Sequence, residues 1–260
     1  MGITDQPVRV LHVEDDTEFG ELVSVYLERD ADAISVHTAA APNEGLDVLA
    51  ARDIDCIVSD YDMPGMNGIE FLERVRETYP DLPFILFTGK GSEEVASEAI
   101  SAGVTDYLQK ERGTSQYTVL ANRIHNAVEQ YRSTRALEAS QRRLSLLFEQ
   151  SPLGVIEWSE GFDIARVNDA AREILGYEGD ELVGTSWEEL VVDAEREEVG
   201  GVVERLQSGD DGFHSINRNL RADGEQIICE WHNRLVTDDD GDIVTAFSQF
   251  QDITERRTRQ

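Results

Sequence analysis

The sequence predicts two units of different design: a doubly wound, five-stranded parallel α/β sheet, then a helix, then a smaller α+β unit with an antiparallel sheet. Three observations predict this. Short apolar runs alternate five times with amphipathic segments up to about residue 128, the pattern of strands joined by helical crossovers. Proline and glycine then vanish between Leu120 and Phe148, where apolar residues fall at helical spacing. After Ser151 the order becomes strands, helices, and three long strands separated by turn residues.

In the first unit, residues 8–13, 34–37, 56–59, 84–87 and 106–108 read as short buried strands. Between them lie TEFGELVSVYLERD, NEGLDVLAARD, GIEFLERVRETY and SEEVASEAISAG, helices opened by a capping Thr, Asn or Ser and closed near Gly or Pro. A chain of 260 residues exceeds a usual domain of roughly 100–150. The expected division is therefore 1–130, a helical linker over 131–143, and 144–260.

The connector carries two apolar stripes, Leu120, Ile124, Ala127 and Tyr131, then Leu137, Leu144 and Phe148, with the register interrupted around Thr134 and Arg135. Residues 112–150 hold 3 acids against 6 bases, the one basic segment of the chain. Two readings stay open: a last helix running into a solvated linker, or a parallel dimeric coiled coil that passes on a signal.

In the second unit, LGVIEW and FDIARV read as strands, and NDAAREILGY and AEREEVGGVVERLQSG as helices. A three-stranded meander follows, turned by ADGE and DDDGD. Alternation in IICEWHNRLV sets Ile227, Cys229, Trp231 and Leu235 on one face, with Glu230, His232 and Arg234 on the other.

The formal net charge of −30 repels phosphate backbones and anionic lipid, so neither nucleic acid nor membrane is an expected partner. Lys90 and Lys110 are the only lysines against an Arg-rich remainder, a bias that resembles proteins of salt-loving archaea. Cys56 and Cys229 sit in apolar runs and read as buried reduced thiols. No apolar run approaches the ~20 residues of a membrane span, and MGITDQPVR lacks the features of a signal peptide, so a cytoplasmic location is expected.

Reactive polar groups follow the apolar runs. Glu14 and Asp15 follow VRVLHV, Asp60 follows CIVS, Thr88 follows FILF, and Lys110 follows YLQ. Strand ends of a parallel sheet emerge at one edge, so these groups converge in one crevice. Three carboxylates there are costly unless a cation neutralises them or one of them protonates, and an oxygen-rich set with open water positions suits Mg²⁺. A metal beside an exposed aspartate is the equipment of phosphoryl transfer, with Asp60 becoming an acyl phosphate.

Residues 7–130 resemble the response-regulator receiver family through VEDD, DYDMPGMNG, FTG and DYLQK. The resemblance implies a flavodoxin-like sheet and makes Asp60 the phosphoacceptor. It assigns Mg²⁺ to Asp15, Asp60 and the main-chain carbonyl of Asp62, with Glu14 acting through water. It also implies that Thr88 and Lys110 grip the phosphoryl oxygens, that Tyr107 changes rotamer with Thr88, and that Pro64 and Gly68 shape the loop after Asp60. One departure is Glu111, where the family usually has proline, so the loop carrying Lys110 is expected to be held less rigidly.

Residues 144–254 resemble the PAS family of sensor and dimerisation modules through FEQSPLGVIEW, VNDAAREILGYEGDELVGTSWEELV, the RADGE turn and FQDITERR. No cofactor is identifiable: residues 168–208 contain neither the cysteine of a flavin photosensor nor a histidine for haem. His214 shares strand parity with Ile216 and Leu220 and is read as a packed histidine, His232 as solvated, and Trp158, Trp187 and Trp231 as core or interface anchors around a small apolar pocket. GKGS at 89–92 lacks the spacing of a phosphate loop, and DDDGD at 238–242 lacks the end ligands of a calcium loop.

The resemblances imply a two-component signalling protein. A histidine kinase or phosphotransfer protein phosphorylates Asp60, and the change passes along the connector to the PAS module of a homodimer held through both connector and PAS module. Two alternatives remain: the front of a hybrid histidine kinase, suggested by the ending FQDITERRTRQ, and a small-molecule sensor whose receiver only dimerises. The sequence identifies no cognate kinase, stimulus or target.

Overall fold

The computed structural model describes residues 7–30, 34–89, 93–210 and 212–258. The starting residues 1–6 and Lys90 to Ser92 of GKGS lie outside them. Contacts divide the chain into two compact units, Met1–Glu138 and Ala139–Gln260.

The first unit alternates β1 (Val8–Val13), α1 (Thr17–Asp30), β2 (Ile34–Ala39), α2 (Pro42–Ala51), β3 (Cys56–Ser59), α3 (Gly68–Thr78), β4 (Phe84–Thr88), α4 (Glu93–Ser101) and β5 (Asp106–Gln109) before α5 (Ser115–Glu149). The strands are parallel in the order β2-β1-β3-β4-β5. The order reverses direction between β1 and β3, so a crevice opens at their carboxyl ends. β3 and β4 are buried along their whole length, as an apolar strand covered on both faces must be.

Alternate side chains feed two cores. Val8, Val10, Val58, Ile85 and Phe87 pack under α1 and α5, whereas Leu11, Val13, Ile57, Phe84 and Leu86 pack under the helices of the other face. Cys56 is fully buried, and burial pushes its thiol up out of the reactive range.

Two helix starts differ from the sequence reading and a third agrees with it. α1 is capped by Asp16, whose Oδ1 accepts from the Phe19 amide at 3.1 Å, rather than by Thr17. α2 starts at Pro42, a first-turn proline that forfeits no hydrogen bond, so Asn43 lies inside the helix. α3 has the full capping box: Asn67 accepts from Ile69 and Glu70, and Glu70 accepts back from the Asn67 amide.

α5 is one helix of 35 residues. Thr134 and Arg135 interrupt its apolar pattern without breaking its backbone, because both are tolerated in helices and Arg135 donates to the Tyr131 hydroxyl one turn back at 2.7 Å. Its buried face is Tyr117, Leu120, Ala121, Ile124 and Val128; Ala127 is only half-buried. Beyond Tyr131 the apolar side chains Leu137, Leu144 and Leu147 are exposed.

The second unit has β6 (Gly154–Trp158), β7 (Ile164–Val167), α6 (Asp169–Leu175), α7 (Trp187–Leu190), a 3₁₀ turn (Asp193–Glu195), α8 (Arg196–Gln207), β8 (Phe213–Leu220), β9 (Gln226–Thr237), β10 (Ile243–Asp252) and α9 (Thr254–Thr258). Its antiparallel sheet runs β7-β6-β10-β9-β8. α7 and the 3₁₀ turn are too short to carry a periodic signal, and the sequence reading has neither. DDDGD is a hairpin turn: Asp238 accepts from the amides of Asp240 and Asp242, and Gly241 takes a left-handed φ of 88°.

Asn168 fastens the end of α5 to this unit. Its fully buried amide accepts from the Val155 and Ala171 amides and donates to the carbonyls of Phe148 and Leu153 at 3.0 and 2.9 Å. Each polar atom of the side chain is therefore used. Arg166 reinforces the same end by lying over the Phe148 ring and pairing with Glu149 at 3.2 Å.

At the opposite edge of the parallel sheet from the crevice, Asp55 joins β1, β3 and α5 by pairing with Arg9 at 3.0 Å and Arg132 at 3.1 Å. Burial alone would raise the Asp55 carboxyl, but the two guanidinium groups outweigh it and hold the carboxyl below its ordinary value. A depressed carboxyl contributes stability above its unfolded pKa of about 4 and loses it as pH falls through the lower folded value. Thermal melts of Asp55→Asn should therefore show reduced stability at neutral pH and a shallower loss than the unsubstituted chain below about pH 4; parallel curves would contradict this.

Candidate phosphoryl-acceptor site

The loops after β1, β3 and β5 bring Glu14, Asp15, Asp60 and Lys110 together. One carboxylate oxygen from each of Glu14, Asp15 and Asp60 lies within 4.8 Å of the others. Lys110 Nζ stands 2.7 Å from Glu14 Oε2 and 3.3 Å from Asp60 Oδ1, and 4.5 Å from the centroid of the Phe19 ring. Glu14 and Asp60 are buried, while Asp15 is exposed.

Backbone pairing fixes these positions. Asp60 donates its amide to Val13 at 2.9 Å, Glu14 to Ala39 at 3.0 Å and Lys110 to Thr88 at 2.8 Å, so each residue is the first beyond a strand still held in the ladder. Thr88 is fully buried at the end of β4, and Tyr107 is half-buried on β5 against the core of the same sheet face. Asp62 lies exposed in the β3–α3 loop, and its side chain is not part of the three-carboxylate group.

The same loop needs Gly68. A Cβ at that position would sit 2.3 Å from the Asp60 carbonyl oxygen and 2.8 Å from Leu86, closer than atoms can pack. Absence of a side chain lets α3 begin directly against Asp60. Pro64 is exposed in the loop.

The electrostatics follow from burial. Burial raises the Glu14 carboxyl above its ordinary value, Lys110 opposes that, and Asp60 and Asp15 add to it. His12, on the same face of β1, is a neutral imidazole because burial and then Lys110 lower it to about 3. Asp60 Oδ1 accepts no hydrogen bond although it is buried beside the ammonium. An oxygen without a hydrogen-bond partner next to two further carboxylates fits a hard divalent cation.

Sequence reasoning missed Gln116. Its Oε1 accepts from the Glu111 amide at 2.9 Å and its Nε2 donates to the Gly113 carbonyl at 2.9 Å, so a buried side chain of α5 ties the loop after Lys110. The loop that lacks the usual proline therefore has another restraint.

The second unit holds a cavity of about 40 Å³, room for a few waters and far below a drug-sized ligand site of roughly 300–1,000 Å³. As expected, it is mainly apolar, lined by Trp158, Phe162, Trp187, Leu190, Val202 and Leu206, with Asn217, Asn219, Asn233 and Ser248 adding polar groups from the sheet. The indole of Trp158 donates to Ser248 at 2.7 Å and that of Trp231 to Asn219 at 3.0 Å, so both are core residues with a polar anchor. His214 faces outward with its side chain 50% exposed, because the inward parity of β8 belongs to Ser215, Asn217 and Asn219.

A parallel sheet ordered 2-1-3-4-5 with an acidic crevice, followed by an antiparallel PAS-type sheet, defines a signalling chain of two modules. Residues 10–122 belong to the response regulator receiver domain family and residues 148–258 to the PAS fold family. Among curated proteins, the Bacterioopsin transcriptional activator of Halobacterium salinarum is 28% identical over 82% of this chain and 34% of its own length. The Sensor histidine kinase TmoS of Ectopseudomonas mendocina is 25% identical over 99% of this chain and 29% of its own length. The chain thus spans about a third of either relative. A solved PAS domain of an HTR-like protein from Haloarcula marismortui is 28% identical, covers 47% of this chain and 98% of its own, and has a TM-score of 0.39. No described helix is long and apolar enough to cross a membrane.

Replacing Lys110 with Met leaves Glu14 buried without its cation, a change expected to cost about 3 kcal/mol in the urea unfolding of the first unit. Adding Glu14→Gln to Lys110→Met should recover part of that loss, since Asp60 is then the one buried carboxylate of the crevice left without the ammonium. Additive losses in the double variant would show that the pair is not coupled.

Proposed function

We propose that the chain is a response regulator that accepts a phosphoryl group on Asp60 from the phosphohistidine of a histidine kinase or phosphotransfer protein. The observation that carries this reading is the single ammonium of Lys110 reaching both Glu14 and Asp60 beside Asp15. An Asp60 carboxylate oxygen attacks phosphorus; the P–O bond forms, the P–N bond breaks, and the imidazole leaves with the electron pair. Mg²⁺ held by Asp15, Asp60 and the Asp62 carbonyl, with Glu14 behind it, would neutralise charge on the equatorial oxygens.

Lys110 and Thr88 supply the remaining contacts to those oxygens, the ammonium as a point charge and the hydroxyl as a hydrogen-bond donor. Drawing Thr88 toward the phosphoryl group vacates space that Tyr107 can enter, so the α4-β5-α5 face changes and α5 passes the shift to the PAS module. That is a population shift biased by a local charge. The alignment of TmoS with nearly the whole chain supports a second setting, in which the same two modules work within a longer sensor kinase. The phosphoacceptor chemistry is the same in both. The net charge of −30 favours protein partners over nucleic acid or membrane, in a cytoplasmic setting.

The exposed Leu137, Leu144 and Leu147 recur at spacings of seven and three, the a/d repeat of a coiled coil, and we place the contact of a homodimer there. The segment's surplus of bases over acids lessens repulsion between two such acidic chains.

Incubation with acetyl phosphate and Mg²⁺ should label the unsubstituted chain and leave Asp60→Asn unlabelled, read by intact mass or acid-labile phosphate. Equal labelling, or none in either, would overturn the acceptor assignment. Light scattering should find a dimer for the unsubstituted chain and a monomer for Leu144→Glu; the same mass for both would remove the dimer contact from α5.

A further inference from the structure

The outer face of the PAS sheet carries a second cluster of metal-ligating side chains, remote in sequence from the receiver crevice. β8 and β9 pair with His214 directly opposite His232 and Ile216 opposite Glu230. Even-numbered residues of both strands point away from the core, so His214, Glu230 and His232 share the solvent face, with Glu230 two residues along β9 from His232. The imidazole rings lie 4.7 Å apart at their centroids, and His214 Nε2 is 2.9 Å from Glu230 Oε1.

One ligand atom from each of the three lies within 4.8 Å of the others. Zinc bonds to imidazole nitrogen and carboxylate oxygen are about 2.0–2.2 Å, which puts tetrahedral ligand atoms roughly 3.3 Å apart. The gap left to close is at most about 1.5 Å, and both imidazoles are exposed, with room to rotate toward a shared ion. The antiparallel ladder already fixes the three Cα positions.

Two further features suit a metal. Gln251, the β10 partner of Glu230, donates Nε2 to Glu230 Oε2 at 2.8 Å. It holds one carboxylate oxygen and leaves the other turned toward the histidines, the role of an outer hydrogen bond that aims a ligand. His232 makes no ring-nitrogen hydrogen bond among the described residues, so one ligand is already open. A bare His–Glu pair would account for His214 and Glu230 and would leave the second imidazole without a task.

We propose that His214, His232 and Glu230 bind a borderline divalent transition ion, with Zn²⁺ the type ion and Gln251 orienting the carboxylate. Two imidazoles and one carboxylate favour zinc and its neighbours over Mg²⁺, which prefers all-oxygen ligands. The exposed face leaves a fourth position for water or for a donor from another molecule. The strongly negative chain raises the local concentration of cations without choosing among them.

Equilibrium dialysis of the full chain against Zn²⁺ in excess Mg²⁺, followed by metal analysis, tests the site, because Mg²⁺ occupies the all-carboxylate crevice and leaves the histidine cluster open. The unsubstituted chain should take up one equivalent of zinc that His214→Ala and His232→Ala each lose, with far-UV circular dichroism unchanged. Gln251→Ala should weaken the affinity about tenfold. No zinc uptake, or uptake that both histidine variants retain, would overturn the site; unchanged affinity in Gln251→Ala would overturn the orienting role.

Discussion

Three carboxylates within 4.8 Å of one another repel, and the first unit is built around making that arrangement tolerable. Lys110 does so at short range by reaching Glu14 and Asp60 from the far side of the crevice. Its own place depends on β5 staying in register with β4 through the Lys110–Thr88 backbone bond. The charge balance of the crevice thus requires the whole sheet order, since β1, β3 and β5 must all deliver their ends to one spot. Gly68 shapes the same site by admitting the α3 start against Asp60, while the buried His12 stays neutral and leaves the offsetting of charge to Lys110.

Most of this was legible in the sequence because buried parallel strands announce themselves. VRVLHV and CIVS have the bounds the apolar runs suggest, and Glu14, Asp15, Asp60 and Lys110 follow their strands directly. What could not be read lay where side chains restrain backbone across sequence distance. Gln116 closes the loop after Lys110 from the next helix, and no local pattern marks a glutamine for that work. The connector was legible as a helix: the lapse in apolar spacing at Thr134 and Arg135 shifts the stripe, while helix continuity depends on backbone bonds that both residues tolerate.

In the PAS module, strand parity was legible for β9 and misjudged for β8. The sequence groups His214 with Ile216 and Leu220 as an inward set, but Ser215, Asn217 and Asn219 take the inner face and add polar groups to the otherwise apolar cavity. The hairpin contained the correction. Its turn at Arg221 to Glu225 pairs Leu220 with Gln226, and counting six residues back along each strand sets His214 against His232. Polar residues inside and an isoleucine outside defeat hydropathy alone; register arithmetic does not depend on hydropathy.

The Asn168 amide joins the last turn of α5 to β6 and α6 with all of its polar atoms engaged. A joint of this kind has almost no play: any twist or axial slip of the final helical turn must carry the adjoining strand with it or break several buried bonds together. The final helical turn and the strand it adjoins are thus held as one piece, with four bonds of a buried amide to break before either can slip against the other.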